Sequence, residues 1–214
     1  MAPQPPVIVI SSGEPAGVGP DICAMLATEP VPARIIVLAD PDMLAERCRL
    51  LGLKLTLNLV DDVDRTETHR PGTLQVLPVR ASVPVRPGRL DPANAEYVLE
   101  LLTRGAQLCT TSACSALVTA PVQKSVINEA GHPFTGHTEW LAQCTNAPLP
   151  VMMLVAESVR VALATTHLPL SEVAAAISAE RLEQVVTVLD RALLGGPPRY
   201  LSIKAKSSFH SSLS

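Results

Sequence analysis

Four short stretches of this chain carry side chains able to bind or activate a ligand. The densest is Pro133-Phe134-Thr135-Gly136-His137-Thr138-Glu139. It offers an imidazole, two hydroxyls and a carboxylate within five residues, set around a glycine that permits an unusual backbone conformation or a close approach. Just upstream, Ala116-Leu117-Val118-Thr119 reads as a buried strand that ends at Pro121 and opens into a polar turn carrying Lys124. In open α/β sheets ligands bind outside the carboxyl ends of strands, so Lys124 stands where an anion would be met. A third stretch, Val161 to Leu170, brings Thr165, Thr166 and His167 after another apolar run. The fourth, Ser11 to Asp21, places Glu14 among Gly13, Gly17 and Gly19. Its spacing fits neither a dinucleotide fingerprint nor a Walker A loop, but it suits a strand-to-helix turn with Pro20 in the first helical turn.

Each of these also has a plainer reading. Thr135 or Thr138 can cap a helix starting near Glu139, with the acid favoured by the helix dipole. His137 is then a surface histidine, and Glu14 an exposed turn carboxylate. A single strand-end histidine is more often structural than a ligand. His137 and His167 make two of them in one chain, which favours a site.

These residues need a scaffold. The chain has 214 residues, 47% hydrophobic and 17% charged, with net charge −3. That length supports one large or two small domains. No basic run points to nucleic acid, and no apolar run reaches the roughly 18 residues of a membrane span. The start, Met1 to Pro6, lacks a basic leader and runs straight into a strand, so a cytoplasmic location is expected. Five cysteines (23, 48, 109, 114, 144) are scattered. Cys109 and Cys114 do not have CxxC spacing, and reduced buried thiols are expected. With only 2% aromatic residues, the core must rest on Ala, Val, Leu and Ile.

Strand and helix signals alternate. Strands are predicted at 7–10, 34–39, 54–60, 74–79 and 116–119, with helices at 21–27, 41–51, 91–109, 124–130 and 138–144. Asp61 to Pro71 and Ala81 to Pro92 read as loops, and Gly52 and Gly131 as helix stops. This alternation predicts an α/β fold with a mostly parallel, doubly wound sheet. Strands at 151–155 and 159–165 make a hairpin that would turn the sheet mixed. Ser171 to Leu194 reads as two helices with Ser171 and Ser178 as N-caps, ended by Gly195-Gly196-Pro197-Pro198. The last stretch, Tyr200 to Ser214, has six serines in 15 residues and no periodicity. Disorder is expected there.

With these residues in view, the chain resembles the 4-hydroxythreonine-4-phosphate dehydrogenase family of vitamin B6 (pyridoxal phosphate) biosynthesis. The matching runs are Gly13 to Asp21, Leu117 to Asn128, Pro133 to Glu139 and Met152 to Leu170. The resemblance implies an isocitrate/isopropylmalate dehydrogenase-like fold, two α/β/α domains around a cleft, in a homodimer. On this basis residues 1–125 are the first domain, 126–199 an incomplete second one, and 200–214 a tail. It implies NAD-dependent oxidation of 4-phosphohydroxy-L-threonine with loss of carbon dioxide, giving 3-amino-2-oxopropyl phosphate. It implies that His137 and Thr138 bind substrate and that His167 is one of three histidines on a divalent metal, zinc or else magnesium or cobalt. Lys124 and Glu14 are candidate cleft residues, Lys124 for phosphate. The family's Asn-Pro-His-Ala-Gly and Tyr-His-Asp-Gln-Gly segments, which carry the other two metal histidines, do not occur here. Three alternatives stand beside this reading. One is a dehydrogenase of a related 4-phosphorylated threonate or erythronate. Another is an inactive, truncated remnant that binds a partner, and the third is a phosphate-binding module.

Overall fold

The computed structural model of the chain describes residues 5–156, 159–194 and 202–203. Strand β1 (Val7–Ser11) leads through the glycine-rich turn into α1 (Gly19–Leu26), then β2 (Arg34–Ala39), α2 (Pro41–Leu50), β3 (Thr56–Leu59) and β4 (Thr73–Pro78). A long excursion follows before α3 (Ala95–Thr110) and β5 (Ala116–Thr119). Then come α4 (Lys124–Glu129), α5 (His137–Thr145), β6 (Met153–Ala156), β7 (Val159–Ala162), α6 (Leu170–Ala176), α7 (Ala179–Leu194) and β8 (Ser202–Ile203).

Six strands form one parallel sheet in the order β3-β4-β2-β1-β5-β8. The central strands are near-continuous apolar runs because both faces are covered; Ile35 to Ala39 are all buried. The core is built from Val, Ile, Leu and Ala, as the composition requires, with Tyr97 the largest buried side chain. Helix α3 lies against β1, β2 and β5, and α5 lies along α3.

Chain order decides where a ligand can enter. From β1 the chain moves to β2, out to the edge strand β3 and back to β4 between them, then returns through α3 to place β5 on the other side of β1. The winding reverses at β1. The loops after β1 and β5 therefore diverge at the carboxyl edge, which opens the crevice of a doubly wound sheet.

The predicted hairpin forms, with Met153 opposite Ala162 and Ala156 opposite Val159. It does not join the main sheet. Among the described residues it pairs only with itself, so the six-stranded sheet stays wholly parallel rather than mixed. Ser178 caps α7, its Oγ accepting from the Arg181 N–H at 3.1 Å. Ser171 lies inside α6, whose N-cap is Pro169. The tail expected to be disordered lies outside the described residues, except Ser202 and Ile203. These two form β8, pairing with Leu117 and Val118. Helices α4 and α5 begin the region expected to be a second domain, and both rest on α3.

Candidate functional site

The glycine-rich turn after β1 is built tightly against the end of β5. Gly13 has φ +72°, in the left-handed region, and a Cβ there would stand 2.4 Å from the Pro121 carbonyl oxygen. The Glu14 N–H donates to that same oxygen at 3.0 Å. The two loops of the crevice are thus joined by backbone.

Glu14 is not the exposed turn carboxylate of the plainer reading. It is buried, and its Oε1 accepts from the Ala16 N–H at 3.2 Å. Burial holds its carboxyl above the ordinary 4.5, against the opposing pull of the Ala16 hydrogen bond. An acid whose folded pKa is raised favours folding while protonated, and that contribution is lost as pH rises through the folded value. Glu14→Gln keeps the acceptor for Ala16 and removes the charge. Its urea midpoint is expected to match wild type below pH 4.5 and to exceed it at neutral pH. Equal midpoints at both pH values would show that Glu14 carries no burial penalty.

A clamp that sequence reasoning missed holds this turn. Arg47 of α2, itself buried, places Nη1 2.7 and 2.8 Å from the two Asp21 oxygens. Its Nη2 donates to the carbonyls of Pro15 and Gly17 at 3.0 and 3.1 Å. Nothing in the local pattern of an amphipathic helix distinguishes Arg47 from the solvated Arg49. Behind the turn, the Ser12 hydroxyl pairs with the Tyr97 hydroxyl at 3.0 Å, which accepts from the Asp40 N–H at 3.2 Å. Burial pushes the Tyr97 phenol up to about 12. Asp40 in turn caps α2, accepting from the N–H groups of Asp42 and Met43. The Asp-Pro pair at 40–41 was a readable cap signal.

Across the crevice, the loop from Pro133 to Gly136 is tied to α4 at two points. Asn128 exchanges two hydrogen bonds with the backbone of Phe134, both 3.0 Å, and its amide also reaches the Lys124 carbonyl. Lys124 Nζ donates to the Thr135 carbonyl at 2.5 Å. Buried Phe134 meets the His137 ring edge-on, with centroids 6.1 Å apart.

Helix α5 begins at His137, with Gly136 at its N-cap and no side-chain cap bond. The Thr135 and Thr138 capping alternative is therefore not what the structure shows. Gly136 is extended (φ 166°), so its requirement is space, not an unusual backbone conformation. A Cβ there would lie 2.9 Å from Glu139 Oε2 and 3.4 Å from Lys124 Nζ. Lys124 Nζ and Glu139 Oε2 thus both lie against Gly136 at the start of α5, with half-buried His137 and Thr138 on the same first turn. A helix N-terminus supplemented by an ammonium suits an anionic group.

His167 stands apart. It is exposed, five residues beyond the end of β7, with φ +59°. No group of three or more His, Cys, Asp or Glu able to hold a metal occurs among the described residues. The described residues therefore do not make a metal centre around His167.

Comparison with known proteins gives this arrangement its family. The model of the family described as "Pyridoxal phosphate biosynthetic protein PdxA" matches residues 31–196. The 4-hydroxythreonine-4-phosphate dehydrogenase of Methylococcus capsulatus is 56% identical over 191 residues, covering 89% of this chain and 58% of that protein. The corresponding protein of Pseudomonas aeruginosa is 50% identical, covering 84% and 55%. A crystal structure of the dehydrogenase from Klebsiella pneumoniae superposes with TM-score 0.82 at 28% identity, covering 91% of this chain and 60% of that one. The chain thus spans less than two thirds of the length of these relatives. The fold is the expected isocitrate/isopropylmalate dehydrogenase-like α/β type, and by sequence and fold together the chain belongs to the PdxA family of pyridoxal phosphate biosynthetic proteins.

Proposed function

We propose that this chain carries the substrate-recognising part of a 4-hydroxythreonine-4-phosphate dehydrogenase. The observation that carries the reading is the cluster at the start of α5, where Lys124 Nζ and Glu139 Oε2 meet at Gly136 beside His137 and Thr138. Lys124 and the open helix N-terminus receive the phosphate of 4-phosphohydroxy-L-threonine. His137 and Thr138 offer ring nitrogen and hydroxyl to its hydroxyl and amino end. Buried Glu14 shapes the opposite wall from the β1 loop.

In the family reaction NAD takes up the hydride from the substrate's 3-hydroxyl carbon. The glycine-rich turn here lacks a dinucleotide fingerprint, so no residue is assigned to NAD. His167 belongs to no group of three potential ligands among the described residues, and a catalytic metal needs about three protein ligands. The chemical step accordingly calls on groups outside the described residues.

Three further expectations belong to this reading. Residues 1–125 act as a first α/β unit and 126–199 as part of a second. The protein works in the cytoplasm; no helix among the described residues is long and apolar enough to cross a membrane. It functions as a homodimer, supported by exposed Leu154, Val155, Val159 and Val161 on a hairpin that, among the described residues, pairs only with itself. An isolated two-stranded hairpin is marginal in water and gains from being covered.

The test is calorimetric titration with 4-phosphohydroxy-L-threonine, with NADH absorbance followed in parallel. Binding is expected, and Lys124→Ala should weaken it at least about 10-fold, the worth of one charge-assisted hydrogen bond. Binding without NADH formation identifies a recognition unit. Binding with NADH formation identifies a complete enzyme. Absence of binding, or binding indifferent to Lys124→Ala, would overturn the proposal. Equal affinity for inorganic phosphate would favour a general phosphate-binding module.

A further inference from the structure

Five cysteines scattered along the chain gave no pairing signal, yet two of them meet at the far end of α3 from Tyr97. Helix α3 ends with Ser112 in the left-handed region (φ +62°), and the N–H groups of Ala113 and Cys114 both donate to the Leu108 carbonyl, at 3.0 and 3.2 Å. This doubled-back ending is a common helix stop, normally taken by glycine or asparagine. Its effect is to fold residue 114 over the last turn of the helix. Cys109 Sγ and Cys114 Sγ come to lie 2.8 Å apart, both buried. A disulfide bond is about 2.05 Å long, so bonding requires a further approach of under about 1 Å.

From this geometry we infer that Cys109 and Cys114 form a reversible intramolecular disulfide that staples the end of α3 to the start of β5. The inference is independent of the substrate reading. The two thiols differ in character. The hydrogen bond with Cys114 lowers the Cys109 thiol below its ordinary value, while that same bond and burial raise Cys114. Cys109 is therefore the attacking thiolate and Cys114 the resolving thiol. With a small disulfide such as oxidised glutathione as oxidant, the Cys109 thiolate attacks one of its sulfurs, and one glutathione thiolate leaves. Cys114, giving up its proton, then attacks the Cys109 sulfur and expels the second glutathione thiolate. Two protein thiols are oxidised to one disulfide, and one glutathione disulfide is reduced to two thiols.

The staple joins two elements that serve the candidate site. Helix α3 carries Tyr97, which holds Ser12 behind the glycine-rich turn. Strand β5 leads directly to Pro121 and Lys124. Oxidation fixes the connection between them.

Trypsin releases both cysteines in one peptide, since Gly105 to Lys124 contains no internal Lys or Arg. The folded, reductant-free protein is incubated with oxidised glutathione, remaining thiols are alkylated, and the digest is weighed. The expected peptide is lighter than its reduced form by roughly 2 Da and carries no alkyl group, and dithiothreitol restores two alkylation sites. In Cys114→Ala the same peptide should instead keep a glutathione adduct on Cys109, because the resolving thiol is gone. A wild-type peptide with both cysteines alkylated, or with stable glutathione adducts, would overturn the inference. So would a disulfide from either residue to Cys23, Cys48 or Cys144. The wild-type mapping stands alone if the variant does not fold.

Discussion

Replacing Arg47 by alanine is expected to lower the unfolding free energy by about 3–5 kcal/mol, the range for removing one partner of a buried ion pair. The Arg47 side chain is 6% exposed and makes four hydrogen bonds from two nitrogens. Its loss strands the Asp21 carboxylate, which is 24% exposed, together with the carbonyls of Pro15 and Gly17. Residual solvent access at Asp21 relieves part of that, so the lower end of the range is expected. Against a total stability of about 5–15 kcal/mol this is a large fraction. Arg47→Lys should recover only part of it. An ammonium is a point charge and cannot address a carboxylate and two carbonyls from a planar fork. Urea unfolding followed by circular dichroism measures both variants. A loss below about 1 kcal/mol for Arg47→Ala would place this pair with weak, solvent-screened ones. Because Arg47 holds the glycine-rich turn, the alanine variant should also weaken substrate binding without touching the residues proposed to contact it.

Gly13→Ala is expected to be comparably damaging, for a different reason. The left-handed backbone costs a non-glycine residue about 1–2 kcal/mol. The added methyl would also stand 2.4 Å from the Pro121 oxygen and 3.0 Å from the carbon and oxygen of Ala120. These are backbone atoms, so relief requires moving the end of β5 or the turn itself. Overpacking of this kind adds about 1–3 kcal/mol. A total near 3–4 kcal/mol follows, together with weaker ligand binding, since the displaced segment leads into Lys124. Gly52→Ala is the control. Gly52 has φ +68° but nothing within 4 Å of a Cβ, so it should lose only the backbone part. Equal losses at the two positions would mean that the contact with Pro121 does not constrain the turn.

Much of this molecule follows from local rules. Buried parallel strands declare themselves as apolar runs, and helices by their stops, so β2 and β5 fall where the sequence predicts and Gly52 and Gly131 end their helices with positive φ. The chemical stretches were legible because histidine, threonine, lysine and glutamate cluster next to strand ends. The runs from Gly13 to Asp21 and from Pro133 to Glu139 were enough to point to a family.

What the sequence could not decide are the pairings between residues far apart in the chain. Whether Glu14 is exposed or buried depends on how the β1 loop meets Pro121, more than a hundred residues away. Arg47 looks like any helix arginine until α2 is laid beside α1, which brings Asp21 and two carbonyls within its reach. The hairpin was predicted locally, but its separation from the main sheet was not, because strand pairing is settled by the packing of whole layers. His167 shows the same division. The family resemblance implied a ligand there, but a metal site is a convergence of several side chains, and no group of three or more potential ligands forms among the described residues. Residue type and spacing determine which chemistry is available and which elements form. Only the tertiary structure determines which groups share a volume, and burial, hydrogen bonding and pKa follow from that.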